Sequence, residues 1–262
     1  MDLRRETVLS AIRSVLEPWE KVHAMWEGGA AAFDRVDEWS DIDLQVLCDD
    51  ESVEDVFRKV EGALSELSPI ELKYRLPEPA WHGFSQAFYR LEGAGPFLLV
   101  DFVVMKKSTT QRMREREIHG RGPVHFNKNE ALVDEHIDPE DFAGRIRKRL
   151  EQLPVTFDLF QSTVTKELNR GNAVEALQFY HGMTLRPLVE VLRMRYAPAR
   201  FTFHTRYFYY DLPEDVVSRL EPLFFVADLD DLKSKHIAAV NWFGEEIDAI
   251  DMADVRARLK AG

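Results

Sequence analysis

Asp41 and Asp43 stand two residues apart in the stretch Ser40-Asp41-Ile42-Asp43-Leu44. Alternation along a strand sends both side chains to one face, where their carboxylates can converge. Two carboxylates that close repel each other unless a cation sits between them. A hard divalent ion such as Mg²⁺ meets that need, because it takes oxygen ligands and keeps positions for water and a substrate phosphate. A third carboxylate, Asp101, interrupts the apolar run Phe97-Leu98-Leu99-Val100-Asp101-Phe102-Val103-Val104. A charge in the middle of such a strand is costly without a partner. A metal shared with Asp41 and Asp43 is a sufficient partner, and three carboxylates can hold two metals at the roughly 3.5–4 Å separation that serves in-line displacement at phosphorus.

The elements that must position these residues follow from periodicity. Leu3, Val8, Ile12, Val15 and Leu16 recur at helical spacing before Pro18, which predicts an opening helix with one buried face. Val22 to Trp26 reads as a short strand running into Gly28-Gly29, a pair that permits a tight turn or close approach of a ligand. Ile42, Leu44, Val46 and Cys48 alternate with Asp43 and Gln45, the signature of a strand with one polar face. Asp49-Asp50-Glu51-Ser52 then offers capping residues ahead of a helix with Val53, Val56, Phe57, Val60, Leu64 and Leu67 on one face, ended by Ser68-Pro69. Further strands are expected over 70–76, 85–91 and 96–105, the last two joined by the turn Glu92-Gly93-Ala94-Gly95, with a short one at 123–126.

From Pro139 the pattern becomes helical, punctuated by Gly171-Asn172, Pro198 and Pro213. Val174, Leu177, Tyr180, Leu185, Leu188 and Leu192 form a nearly continuous apolar stripe, read as core packing. The expected class is α+β, with a mixed-sheet α/β domain over residues 1–137 and an all-helical bundle domain over 138–262.

Composition narrows the function classes. The 262 residues are 45% hydrophobic, enough for a sizeable core, and carry a net charge of −12. That acidity argues against a protein that grips a nucleic-acid backbone, which depends on Lys and Arg displacing counterions. No apolar run approaches the roughly 18 residues of a membrane span, and the charged start Met1-Asp2-Leu3-Arg4-Arg5-Glu6 has no apolar stretch behind it to suggest a signal peptide. A single cysteine, Cys48, forms no internal disulfide or zinc cluster. A cytoplasmic location is the expectation. Asp41 does not open an EF-hand loop, since Val46 stands where the sharp turn demands Gly. Walker A, Gly-x-Gly-x-x-Gly, His-Glu-x-x-His and serine-hydrolase elbow patterns are absent.

The stretch GGAAAFDRVDEWSDIDLQV, residues 28–46, resembles the nucleotidyltransferase superfamily, whose signature is a Gly-Gly or Gly-Ser turn followed by Asp-x-Asp or Asp-x-Glu and a third carboxylate on a later strand. The interval from Gly29 to Asp41 is similar to that of the antibiotic-modifying members. The resemblance implies that Asp41, Asp43 and Asp101 are metal carboxylates for two Mg²⁺ ions, and that Gly28, Gly29, Ala30 and Ser40 line the triphosphate of ATP or another nucleoside triphosphate. Ala30 departs from the family, which usually has Ser there. Lys106 and Lys107, beyond the strand of Asp101, are candidates to neutralise the triphosphate.

The second half is similar to the helical carboxy-terminal domain of aminoglycoside and lincosamide nucleotidyltransferases, in Arg170-Gly171, Glu175-Ala176-Leu177, Arg186-Pro187-Leu188, Arg206-Tyr207 and Asp211-Leu212-Pro213. In that family the cleft between the domains holds the acceptor. Glu167 is the candidate general base of this half, while Tyr180 and His181 read as packing residues. The implied activity is Mg²⁺-dependent transfer of a nucleoside monophosphate, AMP from ATP, to a hydroxyl of a small molecule such as an aminoglycoside-like antibiotic, with release of pyrophosphate. Two alternatives stay open: AMP transfer to a protein, as in antitoxin-type nucleotidyltransferases, and a degenerate nucleotide-binding regulator. The expected partners are the triphosphate and a small hydroxyl acceptor, without nucleic acid or membrane; a homodimer stays open.

Overall fold

Apolar alternation in the first half of the chain builds a six-stranded sheet. The computed structural model describes residues 3–261, and the chain divides into two units, Met1–His136 and Ile137–Gly262. The first unit contains, in order, α1 (Arg5–Leu16), β1 (Val22–Glu27), β2 (Ile42–Cys48), α2 (Val53–Leu67), β3 (Ile70–Arg75), β4 (Ser85–Leu91), β5 (Val100–Lys106), α3 (Arg116–His119) and β6 (Val124–Asn127). The strand order is β3-β4-β5-β2-β1-β6. Only β2 and β5 run parallel; the other neighbours are antiparallel. Parallel partners need a long crossover, supplied here by α2 and the β3–β4 hairpin.

Each face of the sheet has its own composition. Ile42, Leu44, Val46 and Cys48 join Val100, Phe102, Val104, Ala87, Tyr89 and Leu91 in one core with Val8, Ile12 and Leu16 of α1 and Val56, Phe57, Val60 and Leu64 of α2. Burying a side chain of this size contributes about 1.5–3 kcal/mol, and slipping β2 by one residue would turn this set outward and Asp43 inward. The register is thereby fixed. On the opposite face a smaller cluster of Ala24, Trp26, Leu47, Phe84, Met105 and Leu132 fills one end. The other end carries Asp43, Gln45, Gln86 and Asp101, all partly buried.

One expected strand is shorter than read. β5 begins at Val100 rather than Pro96, because Leu98 N–H donates to Gly95 C=O at 3.1 Å and Leu99 N–H to Phe97 C=O at 2.9 Å, which closes residues 95–99 into a turn.

Helices alone make up the regular structure of the second unit's described residues: α4 (Pro139–Arg170), α5 (Ala173–Phe179), a π-helical turn (Tyr180–Leu185), α6 (Arg186–Tyr196), a 3₁₀ stretch (Pro198–Phe203), α7 (Phe208–Asp211), α8 (Glu214–Phe224), α9 (Leu229–Ala249) and α10 (Met252–Ala261). The α+β class is as expected from the sequence. Asp138 caps α4, accepting from the N–H groups of Glu140 and Asp141 with Pro139 in the first turn. Gly171, at φ +74°, ends it. The apolar stripe after Asn172 is interrupted: Val174 is 79% exposed, whereas Tyr180, Leu185, Leu188 and Leu192 are fully buried. Leu185 stands five positions after Tyr180, too long a step for one α-turn, and the wider π-turn absorbs the excess. The buried face of α5 accordingly follows Ala176 and Tyr180 rather than Val174 and Leu177. No helix among the described residues is long and apolar enough to cross a membrane.

Candidate functional site

Parallel pairing of β2 with β5 places Asp43 directly opposite Asp101. Neighbouring strands are about 4.8 Å apart, so the two carboxylates leave the same face side by side. Registers of the next strands extend the row: Asp101 is opposite Phe88 of β4, and Phe88 is opposite Tyr74 of β3. The rings of Tyr74 and Phe88 are nearly parallel, 17° apart with centroids at 6.3 Å, and Tyr74 is 59% exposed. Period-two alternation alone does not reveal this aromatic extension, because it does not give strand order.

On the other side of Asp43 lies the glycine pair. Gly28 N–H donates to Asp43 C=O at 2.8 Å, extending the β1–β2 ladder by one residue. Gly29, at φ +52°, then turns the chain into a short 3₁₀ turn, Gly29–Phe33. A Cβ on Gly29 would lie 1.5 Å from Asp43 Oδ2, and one on Gly28 would lie 2.5 Å from Gln45 Nε2. The carboxylate of Asp43 thus occupies the space that a side chain at position 29 would need. That contact, together with the positive φ, is the physical reason for glycine here.

Hydrogen bonds hold the Asp101 carboxylate and the backbone at Asp41. Asp101 Oδ1 accepts from Gln86 Nε2 at 2.6 Å, so the charge inside the apolar run has a partner, an amide. Asp41 immediately precedes β2, and its backbone carbonyl accepts from the Arg5 guanidinium, which also pairs with Glu27. Glu27 is only 5% exposed and lies 3.0 Å from His125 Nε2. Burial pushes the Glu27 pKa upward, but the hydrogen bond with His125 and the charge of Arg5 outweigh it and hold the carboxyl below its ordinary value. The Glu27 network is absent from the sequence reading; its signal is a lone acid closing the strand Val22-His23-Ala24-Met25-Trp26.

The remaining candidates are dispersed. Ser40 Oγ donates to Asp37 Oδ1 at 2.7 Å and accepts from Asp37 N–H at 2.9 Å, closing the turn before β2. Ala30 lies in the 3₁₀ turn, where its carbonyl accepts from Arg35 N–H at 3.0 Å. Lys106 closes β5, five residues beyond Asp101. At about 3.3 Å per residue that is roughly 16 Å away, on the opposite face by alternation. Lys106 is therefore not brought to the carboxylate pair, because Asp101 stands near the start of its strand and Lys106 at its end.

Glu167 belongs to the second unit, near the end of α4. Its carboxylate accepts from Arg170 at 2.8 Å and Asn172 at 2.7 Å, and its backbone carbonyl accepts from Asn172 N–H at 3.0 Å. The hydrogen bond from Asn172, aided by Arg170 and Lys166, lowers its pKa. A carboxylate so committed clasps the α4–α5 corner and is a poor proton acceptor. Tyr180 is fully buried and donates to Leu223 C=O at 3.0 Å. His181 is half-buried, and burial lowers its pKa.

Among the described residues no group of three or more His, Cys, Asp and Glu side chains is gathered to hold a metal ion. Mg²⁺ at phosphoryl-transfer sites is usually held by one or two carboxylates together with substrate phosphates. Asp43 and Asp101, adjacent on one face, are a donor set of that kind, and the missing Cβ of Gly29 makes room for one of them. The residues present therefore fit such an ion.

Solved structures that resemble this chain include the following two. An aminoglycoside 6-adenyltransferase from Bacillus subtilis aligns over 99% of this chain and 92% of its own, with a TM-score of 0.38 and 11% identity. A STING-associated CdnE c-di-GMP synthase from Capnocytophaga granulosa aligns over 94% of this chain and 80% of its own, with a TM-score of 0.32 and 14% identity. No family model matches the sequence, and no curated protein does.

Proposed function

We propose that the chain is a Mg²⁺-dependent nucleotidyltransferase that moves a nucleoside monophosphate, AMP from ATP, to a hydroxyl of a small molecule and releases pyrophosphate. The observation that carries this reading is the in-register pair Asp43 and Asp101 beside a glycine turn shaped around the Asp43 carboxylate. In this reading Asp41, Asp43 and Asp101 are the oxygen donors to the metal. Bound Mg²⁺ would neutralise the triphosphate and make the attacking hydroxyl more acidic.

The cross-sheet row suggests a direction for the reaction. Gly28, Gly29 and Ala30 flank Asp43 and form the phosphate side, where Gly28 N–H is already committed to Asp43 C=O. Phe88 and Tyr74 flank Asp101 and form the acceptor side. A bond forms between the acceptor oxygen and the α-phosphorus as the bond from that phosphorus to the pyrophosphate oxygen breaks, and the hydroxyl proton is released. The protein's contribution is chiefly positioning on a rigid sheet. An aminoglycoside-like antibiotic is one acceptor of the required kind.

Pyrophosphate release with ATP, Mg²⁺ and a panel of small hydroxyl acceptors tests the reading. Asp43→Asn keeps the shape of the side chain but is a much poorer Mg²⁺ ligand; losing roughly 4 kcal/mol of transition-state stabilisation corresponds to about a thousandfold in rate. A folded Asp43→Asn protein that releases pyrophosphate at the normal rate would remove the carboxylate pair from the chemistry.

A further inference from the structure

We infer that His82 and Gln86 are positioning residues for Asp101, linked in a hydrogen-bond chain whose donors and acceptors are set from both ends, by the Phe84 N–H and by the acceptor-only carboxylate. The inference rests on the reading of Asp101 as a site carboxylate and adds two residues that the metal motif does not contain.

A glutamine amide can present either its oxygen or its NH₂ group, so Gln86 does not by itself determine what it offers Asp101. The direction comes from both ends. Phe84 N–H points at His82 Nδ1, with the heavy atoms 3.0 Å apart. A backbone N–H can only donate, so Nδ1 must be the acceptor and the neutral ring keeps its proton on Nε2. That nitrogen lies 2.9 Å from Gln86 Oε1 and donates to it. With its oxygen engaged, the amide turns its NH₂ group to Asp101 Oδ1 at 2.6 Å. Each link agrees with the next.

The surrounding residues hold the chain rigid. Gly83, at φ +81°, allows the tight turn that brings Phe84 N–H back to the imidazole. The His82 ring stacks on Phe84 at 5.2 Å and 28°, and meets Trp81 edge-on at 5.0 Å and 72°. Gln86 is opposite Val103 while Asp101 is opposite Phe88, so the amide reaches its carboxylate diagonally across the β4–β5 pair. The consequence is a carboxylate held in one rotation, next to Asp43. An ionised carboxylate only accepts, so Asp101 itself draws the NH₂ group of the amide; without His82 the Gln86 oxygen loses its donor and the amide plane loses its second anchor.

Three full-length variants test this: Gln86→Met, which keeps length and removes the donor; His82→Phe, which keeps the stacked ring and removes the relay; and the two combined. Partners that orient ligand side chains typically matter 10–100-fold for activity or metal affinity. The expected result is a 10–100-fold fall in kcat for Gln86→Met with the KM for ATP changed less than twofold, a smaller fall for His82→Phe, and a double variant no worse than Gln86→Met. Gln86→Asn, too short to span the gap, should not rescue.

A second readout does not depend on turnover. Nitrogen-15 spectra of the histidine ring should show His82 with its proton on Nε2, and His82→Phe should move both the Gln86 amide and the Asp101 carboxylate resonances. Overturning results would be a proton on Nδ1, an unmoved Asp101 resonance in His82→Phe, or a folded Gln86→Met protein with normal kcat. If the wild-type chain transfers no nucleotide, the spectra alone decide the relay, and the failure belongs to the proposed activity.

Discussion

Gly29→Ala places a methyl group where the structure has a carboxylate. The backbone at Gly29 has φ +52°, a region that costs an L-residue about 1–2 kcal/mol. The added Cβ would also stand 1.5 Å from Asp43 Oδ2 and 2.5 Å from Asp43 Cγ. Asp43 must then leave its rotamer, at about 0.5–1.5 kcal/mol. Together these predict a loss of about 1.5–3.5 kcal/mol, which for a domain of this size lowers Tm by roughly 5–15 °C. Gly28→Ala is the control: φ there is −108°, and the nearest atom is the mobile end of Gln45. Thermal melts of Gly29→Ala, Asp43→Ala and the double variant separate the two causes, since Asp43→Ala removes the colliding atoms but not the φ cost. The double variant should be more stable than additivity predicts by about 0.5–1.5 kcal/mol. A Gly29→Ala protein that melts within 2 °C of wild type, or strict additivity in the cycle, would refute the claim that the glycine exists to seat Asp43.

Three further outcomes are expected. Cys48 is fully buried, and burial reinforced by Asp49, Asp50 and Glu51 pushes its thiol up to about 12; iodoacetamide at pH 8 should label it only as fast as the protein unfolds, so rapid labelling of the native protein, read by mass, would contradict this burial. Because the folded pKa of Glu27 lies below its ordinary value, its stabilisation is present above the unfolded value of about 4.3 and is lost as the pH falls through the folded one; the Tm gap between wild type and Glu27→Gln should be widest near neutrality and narrow below about pH 4, and a constant gap would contradict it. Arg193 has no exposed surface and donates to Asp211 at 2.8 Å and to the carbonyls of Arg200, His204 and Arg206. Arg193→Met should cost about 3 kcal/mol, the lower end for a broken buried pair because Arg200 still reaches Asp211 at 3.0 Å, and an unchanged denaturation midpoint would refute that.

The elements legible in the sequence were those with a complete period. β2 occupies Ile42–Cys48 because apolar residues recur at every second position from Ile42 to Cys48, Leu47 being the one apolar residue on the other face, and α2 occupies Val53–Leu67 because its apolar face is unbroken. The need for a partner at Asp101 was also legible from the cost of a charge among apolar neighbours, but its identity was not. Gln86 is an ordinary polar residue of a strand until pairing places it diagonal to Asp101. Whatever depended on strand order escaped the sequence: the row from Tyr74 to Asp43, and the separation of Lys106 from Asp101. The Glu27 network escaped for a related reason, since Arg5, Glu27 and His125 lie far apart in the chain. In the helical half, the five-residue step from Tyr180 to Leu185 was visible, but a π-turn was needed to explain it.

The most direct test of the account follows the two ends of ATP separately. Wild-type protein with Mg²⁺ and a panel of hydroxyl acceptors is given ATP labelled at the α-phosphate in one arm and at the γ-phosphate in the other. Nucleotidyl transfer predicts that the α label becomes covalently attached to an acceptor while the γ label leaves as pyrophosphate in equal amount, and that both signals vanish in folded Asp43→Asn and without Mg²⁺. Release of the γ label as inorganic phosphate, or no Mg²⁺-dependent change in either label, would contradict the account.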